Sequence, residues 1–211
     1  MVNLSTKIAL QVDRAIEILK AGGIVAFPTD TVYGLGGDAF NSEVAERIYR
    51  VKQRPRSLPL PVLLADLTQV TAVVGPVPEI ARFLMRRFWP GGLTLVLPKG
   101  ASLPEIIGAG GDKVAIRIPN HVVPLALIHG LGAPIIGTSA NISDKPSPVT
   151  AQEVEQQLGS QIDLIVDMGR CPGGLESTIV DVTGKTPVIL RQGIIPEDEI
   201  KRACQEFAPG R

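Results

Sequence analysis

"STIVDVTGKTPVILR", residues 177–191, holds two short apolar runs separated only by Thr-Gly-Lys-Thr-Pro. Both runs read as strands, and no helix fits between them. Parallel neighbours need a crossover of a dozen or more residues, so so short a connection predicts an antiparallel hairpin. Upstream, helical and strand-like stretches take turns along the chain. Together these features predict an α/β protein whose sheet mixes parallel and antiparallel pairing, not a purely parallel dinucleotide fold. The same connection contains "TGKT", which looks like the tail of a phosphate-binding Walker loop. The glycine that loop requires five positions before Gly184 is Ile179, so the match fails.

Working outward, residues from Thr6 to about Lys20 place Ile8, Val12, Ala15, Ile16 and Leu19 at helical spacing, with "AGG" as the stop. "GIVAFPT" reads as a buried strand, followed by a Gly-rich turn. The next helix opens near Asn41 or Ser42 and ends before Pro55. Further helices are predicted just after Asp66, at about 77–88, near 121–129 and near 150–158. Strand-like runs recur at "LPVLLAD", "LTLVLP", "VAIRIP", "APIIGTSA" and "DLIVDM". A hydrophobic content of 45% in 211 residues suits one globular domain spanning 1–211, with a core expected over about 8–196. Lys plus Arg and Asp plus Glu number 21 each, so no global field draws the chain to nucleic acid or membrane, and any anion site must be local. Cys171 and Cys204 form no C-x-x-C pattern, and "MVNLSTKIAL" lacks the layout of a signal peptide. A soluble, reducing, cytoplasmic setting is expected. Apolar runs such as "PVLLA" are far shorter than the ~20 residues of a membrane span.

Three stretches carry chemistry. In "PTDTVYGLGGDAF" hydroxyls and an aspartate follow directly on a strand, where open α/β sheets bind ligands, and the glycines allow close backbone approach. The bland alternative is a turn in which Thr29 and Asp30 cap local amides. In "KQRPRSLPLP", residues 52–61, cations sit on a proline-rich backbone. Arg47, Arg50 and Arg54 would share a helix face if the helix reached Arg54, with Lys52 projecting elsewhere. Between Glu46 and Asp66 there are five cations and no carboxylate, so their repulsion must be relieved by solvent or by an anion. The third stretch, "PIIGTSANISDKPSP", is a dense run of neutral donors and acceptors after an apolar strand. It is either a binding loop or a serine-rich surface loop. Its G-T-S-A-N lacks the second glycine of a nucleophile elbow, and His121 and His129 read as structural, not as catalytic bases. No His/Cys metal cluster is apparent.

"PTDTVYGLGGDAF", "KQRP", "WPGGLTLVLP", "VAIRIP", "GTSANISDKPSP", "STIVDV" and "ILRQG", in that order from about Ile8 to Pro196, resemble the YrdC family in its short, single-domain form. The resemblance implies a twisted open mixed sheet flanked by helices around a large concave cavity. It also implies a nucleotidyltransferase that joins L-threonine, bicarbonate or CO2, and ATP into L-threonylcarbamoyladenylate and pyrophosphate. The product would pass to a tRNA threonylcarbamoyl transferase. By the same resemblance Lys52 and Arg54 would face the triphosphate and carry catalysis. Ser139, Asn141 and Ser147 would hold the nucleotide, with Lys113 and Arg191 adding contacts to ATP. Thr31, Arg117, Ser177 and the backbone at Gly137 would bind threonine. Mg²⁺ is expected to arrive with ATP, held by phosphates and water with no protein metal site.

Many relatives read N-P-L-x-V-H where this chain has Leu58-Pro59-Leu60-Pro61-Val62-Leu63. An amide and an imidazole are thus replaced by Leu58 and Leu63, which bears on threonine against serine selectivity. Two other readings stay open. A concave basic surface could hold an RNA backbone weakly, although aromatic residues, the usual stacking platforms, are only 4% of the chain. A YrdC-like enzyme could also act on another carbamoyl substrate. The "SDKPSP" segment permits either a rigid wall or a mobile lid.

Overall fold

The computed structural model describes residues 6–207; residues 1–5, part of the opening stretch without a signal-peptide pattern, and 208–211 lie outside them. The helices are α1 (Thr6–Lys20), α2 (Ser42–Lys52), α3 (Val70–Val73), α4 (Glu79–Phe88), α5 (Val122–Leu131), α6 (Ala151–Leu158) and α7 (Glu197–Glu206). The strands are β1 (Val25–Phe27), β2 (Gly34–Gly36), β3 (Val62–Leu63), β4 (Leu93–Pro98) and β5 (Lys113–Arg117). They continue as β6 (Ile135–Ile136), β7 (Thr138–Ser139), β8 (Leu164–Ile165), β9 (Thr178–Asp181) and β10 (Val188–Arg191). Among the described residues no helix is long and apolar enough to cross a membrane.

The strands form two sheets, both mixed. One has the order β7-β2-β1-β8 and the other β10-β9-β4-β5-β3-β6. The predicted hairpin is present: β9 and β10 pair antiparallel, with a register shift between Ile189 and Arg191. "TGKT" lies in its turn, where Asp181 accepts a hydrogen bond from the Thr183 amide at 2.8 Å. Parallel pairing occurs where the connections are long, as for β1 with β8 and β4 with β9.

Three elements differ from the sequence expectation. β2 was expected to be only a glycine-rich turn, yet Gly34–Gly36 pairs antiparallel with β1. Bare glycines are needed there, because a Cβ on Gly36 would sit 2.1 Å from the Ile136 carbonyl oxygen. "APIIGTSA", expected as one strand, is two: β6 pairs with β3 in the larger sheet and β7 with β2 in the smaller. Only Gly137 separates them. The acidic opening of α7, Glu197-Asp198-Glu199, starts a helix that periodicity did not reveal.

Strand alternation divides the core. Val25 and Phe27 of β1 face a cluster with Val12, Ala15 and Leu19 of α1 and Val123, Leu127 and Ile128 of α5. Ile24 and Ala26 point the other way, into the larger cluster built on β4, β5, α2 and α4. Arg47 of α2 reaches across to Asp163 at 2.6 Å, and Asp163 also accepts the Ile24 amide at 2.8 Å, fixing α2 against the small sheet.

Candidate functional site

The sheet change at Gly137 opens a cavity of about 530 Å³ between the two sheets. Four segments wall it, and each has a local reason for its place.

The β1–β2 connection supplies Thr29 and Thr31, both buried. The Thr29 hydroxyl donates to the Val32 carbonyl at 2.7 Å, so in its 2.9 Å contact with Thr31 it is Thr31 that donates. Thr31 then accepts from Arg117 Nη1 at 2.9 Å. Arg117 ends β5, buried, with Nε on the Gly91 carbonyl at 2.8 Å and Nη2 paired to Asp30 at 2.5 Å. Burial lowers its pKa and Asp30 opposes that shift, so the ion pair keeps the guanidinium charged where water cannot.

α2 delivers the cations. It starts with Asn41 accepting the Glu43 and Val44 amides and ends where Gln53 turns left-handed at φ 51°. The helix therefore stops at Lys52, short of Arg54, and the shared face of Arg47, Arg50 and Arg54 expected from spacing does not form. Nor are all five cations without acids: Arg47 pairs with Asp163, and Arg56 with Glu46. Arg54 folds back onto the Leu58 and Pro59 carbonyls at 3.2 and 2.9 Å. Lys52 is only 1% exposed. Its Nζ donates to the carbonyls of Ser139 at 2.5 Å and Asn141 at 2.6 Å, with Asn141 Oδ1 at 3.3 Å. Burial first, and the Arg54 charge second, push its pKa down to about 7, against the pull of Glu176.

The third wall is the loop after β7, with Ser139, Asn141 and Ser143. Asn141 Nδ2 donates to Lys145 O at 2.7 Å and Ile142 O at 3.0 Å, closing the loop on itself. The Ser143 hydroxyl is buried with no hydrogen-bond partner among the described residues. The fourth wall is the run into β9 and the end of β10. Ser177 Oγ lies 2.8 Å from Thr94 Oγ1 of β4, and Arg191 donates to Ser177 O at 2.9 Å. Glu176 accepts from Ser147 Oγ at 2.5 Å and is ion-paired with Arg191.

The cavity thus brings together Thr31, Lys52, Arg54, Arg117 and Gly137, and with them Ser139, Asn141, Ser177 and Arg191. Ser147 touches the wall only through Glu176. Lys113, expected to add a contact to ATP, lies outside this lining: it stands at the far end of β5, exposed and ion-paired to Asp181 at 2.9 Å. His121 caps α5, its Nδ1 accepting the Val123 amide at 3.2 Å. Leu63 lies in the wall under Gly137, and Leu58 at its half-exposed edge.

Two wall residues, Thr94 and Glu176, were missed, and with them Asp30, which holds Arg117 from behind the wall. Thr94 left a signal, a lone hydroxyl in the buried run "LTLVLP", where an unpaired polar group is costly. Asp30 was read as a local cap, and Glu176 had no local signature at all, because both partners lie far along the chain.

The chemistry on offer is anion binding by several cations beside a pocket of hydroxyls and one buried arginine. Among the described residues no histidine lines the cavity; its carboxylates are Glu176, engaged by Ser147 and Arg191, and Asp144. Among the described residues no group of three or more His, Cys, Asp or Glu is placed to hold a metal ion.

Comparison with known proteins shows which family the chain and its fold resemble. The Sua5/YciO/YrdC family model, described as "Telomere recombination", matches residues 17–193. The threonylcarbamoyl-AMP synthase of Bacillus subtilis (strain 168) is 46% identical, over 90% of this chain and 56% of that protein. A putative threonylcarbamoyl-AMP synthase of Mycobacterium tuberculosis H37Rv is 40% identical over 88% of this chain and 85% of that one. The crystal structure of P. abyssi Sua5 complexed with L-threonine superposes with a TM-score of 0.89 at 43% identity, covering 91% of this chain and 56% of that one. The chain therefore spans little more than half the length of the Bacillus and Pyrococcus proteins.

Proposed function

Because the chain belongs to the Sua5/YciO/YrdC family, we propose that it is an L-threonylcarbamoyladenylate synthase, joining L-threonine, bicarbonate or CO2, and ATP. One observation carries this reading: Arg117, Thr31 and Ser177 share a cavity with Arg54 and Arg191. An amino acid and a triphosphate each find their complementary groups within reach of the other.

Arg117 meets the threonine carboxylate with the N–H groups that Gly91, Thr31 and Asp30 leave free. Thr31 has already spent its proton on Thr29, so it can offer only a lone pair, which suits a donor such as the substrate's amine or hydroxyl. Threonine's neutral amine nitrogen forms a bond to the carbon of CO2 and gives up one proton to solvent, leaving a carbamate. A carbamate oxygen then attacks the α-phosphorus of ATP, the bond to the β-phosphate oxygen breaks, and pyrophosphate leaves with the electron pair. Arg54 and Arg191 neutralise charge as it builds on the phosphates. No side chain becomes covalently attached, and catalysis is positioning plus charge neutralisation.

Mg²⁺ would enter on the phosphates of ATP and supply further charge neutralisation. The wall carboxylates fit that role only weakly. Glu176 is engaged by Ser147 and Arg191, which leaves Asp144 at the loop tip as the carboxylate able to approach a phosphate-bound ion. The adenylate would then be handed to a tRNA threonylcarbamoyl transferase.

The test is pyrophosphate release from ATP and Mg²⁺ with threonine and bicarbonate, each omitted in turn, and with serine replacing threonine. Release that needs both threonine and bicarbonate supports the reading; release indifferent to threonine defeats it. Salt-dependent RNA binding with no pyrophosphate release would favour the binding-module alternative. The pairing of Arg47 and Arg56 with acids already removes two cations from any RNA-facing stripe.

A further inference from the structure

Lys52 grips the loop between β7 and α6 from both of its ends. Its backbone carbonyl accepts the Ser143 amide at 2.8 Å. Its ammonium donates to Ser139 O at 2.5 Å, Asn141 O at 2.6 Å and Asn141 Oδ1 at 3.3 Å. An ammonium has three donors and no acceptor, so these partners saturate it. At 1% exposure it is shielded from bulk solvent. The neighbouring Arg54, by contrast, commits only Nε and one terminal nitrogen to backbone carbonyls and keeps donors for a ligand.

We propose that Lys52 is a positioning residue that clamps residues 139–143 into a rigid wall of the cavity, and that Arg54, not Lys52, makes the direct contact with phosphate. The physical gain is specific. A loop lining an anion site presents carbonyl lone pairs that repel the anion, and Lys52 covers those of Ser139 and Asn141 with N–H donors. The Ser139 and Ser143 hydroxyls then remain as the loop's polar face. Asn141 extends the clamp by donating to Lys145 O at 2.7 Å, so the segment is a wall, not a hinged lid. The consequence for catalysis rests on the synthase reading; the clamp itself does not.

The two are separated by measuring loop exchange without any substrate. In ligand-free Lys52→Met, amides of residues 140–147 should exchange hydrogen at least about tenfold faster than in the parent protein, while Arg54→Met leaves them unchanged. In turnover, Lys52→Met should raise the KM for ATP about tenfold with kcat within about threefold, whereas Arg54→Met lowers kcat itself. Unchanged loop exchange in folded Lys52→Met overturns the clamp, whatever happens to activity. Absence of pyrophosphate release by the parent protein overturns the synthase reading and leaves the exchange result standing. Should Lys52→Met not fold, the parent protein labelled with ¹⁵N-lysine decides. Slowly exchanging Lys52 ammonium protons whose shift is unmoved by ATP support the clamp, and scalar coupling of that nitrogen to ATP phosphorus refutes it.

Discussion

Lys52 and Arg117 are both buried cations, and they meet the desolvation cost differently. Arg117 keeps an acid within reach, whereas Lys52 has only neutral oxygens in direct contact, and burial drives its pKa down to about 7. An unfolded lysine titrates near ~10.4, so between about pH 7 and that value the unfolded chain binds more protons than the folded one. Stability contributed by this group therefore rises with pH through that window, and is lowest below it. Urea unfolding of the ligand-free protein from pH 6.5 to 9.5 should show this rise relative to Lys52→Met; parallel curves would contradict it. For Arg117, removing the acid leaves a buried guanidinium unpaired. Asp30→Ala should cost about 3 kcal/mol of unfolding free energy, and Asp30→Asn, which keeps an acceptor, clearly less. Arg117→Ala should raise the KM for threonine roughly 30-fold, the worth of about one charged hydrogen bond of ~2 kcal/mol. A normal threonine dependence would remove Arg117 from the amino-acid pocket. Of these residues Lys52, Arg54 and Arg117 were legible as members of quoted motifs. Neither the pairing of Asp30 with Arg117 nor the contacts of Glu176 with Ser147 and Arg191 were legible, because a carboxylate's partner is set by the fold.

The connection β6–Gly137–β7 changes sheets in a single residue, and the site is built around it. Gly137 donates its amide to the Pro61 carbonyl at 2.9 Å, holding β6 beside β3 up to the point of departure. A Cβ there would lie 2.2 Å from Leu63 Cγ, inside the contact that seals this part of the wall. Gly137→Ala should therefore cost about 1–3 kcal/mol by overpacking. Leu63→Ala, made in the same chain, should return part of it, because the two sites share one volume. A four-member unfolding cycle measures that coupling, and strict additivity would show that the strain is relieved elsewhere. The change of sheet was hidden in "APIIGTSA", which reads as a single strand-like run. The β9–β10 hairpin was plain, since five connecting residues leave no other pairing. Where connection length alone decides, sequence suffices. Where two sheets compete for one run, it does not.

The two sheets are joined at a close backbone contact between β2 and β6. Ile136 donates to the Gly37 carbonyl at 2.8 Å, and Gly36 lies so near Ile136 that its α-carbon hydrogens are all the space allows. The obstacle to a side chain is a carbonyl oxygen of the backbone, which cannot swing aside as Leu63 can. Gly36→Ala must therefore separate β2 from β6 or displace the strands themselves. The loss should exceed that of Gly137→Ala, reaching about 3 kcal/mol, at the top of the overpacking range. It should also have a spatial signature. Trp89, the sole tryptophan, packs against the core of the larger sheet and donates to Leu93 O at 2.7 Å, so its fluorescence reports that half. Amide exchange in β1 reports the other half. In the parent protein the unfolding transitions from these probes should coincide, as one cooperative unit requires. In Gly36→Ala the β1 amides should lose protection before Trp89 fluorescence changes, because Arg47–Asp163 and the core around α1 are left to hold the small sheet without its seam. Coincident transitions in the variant would place the junction of the sheets elsewhere, and with it the mechanical basis of the cavity between them.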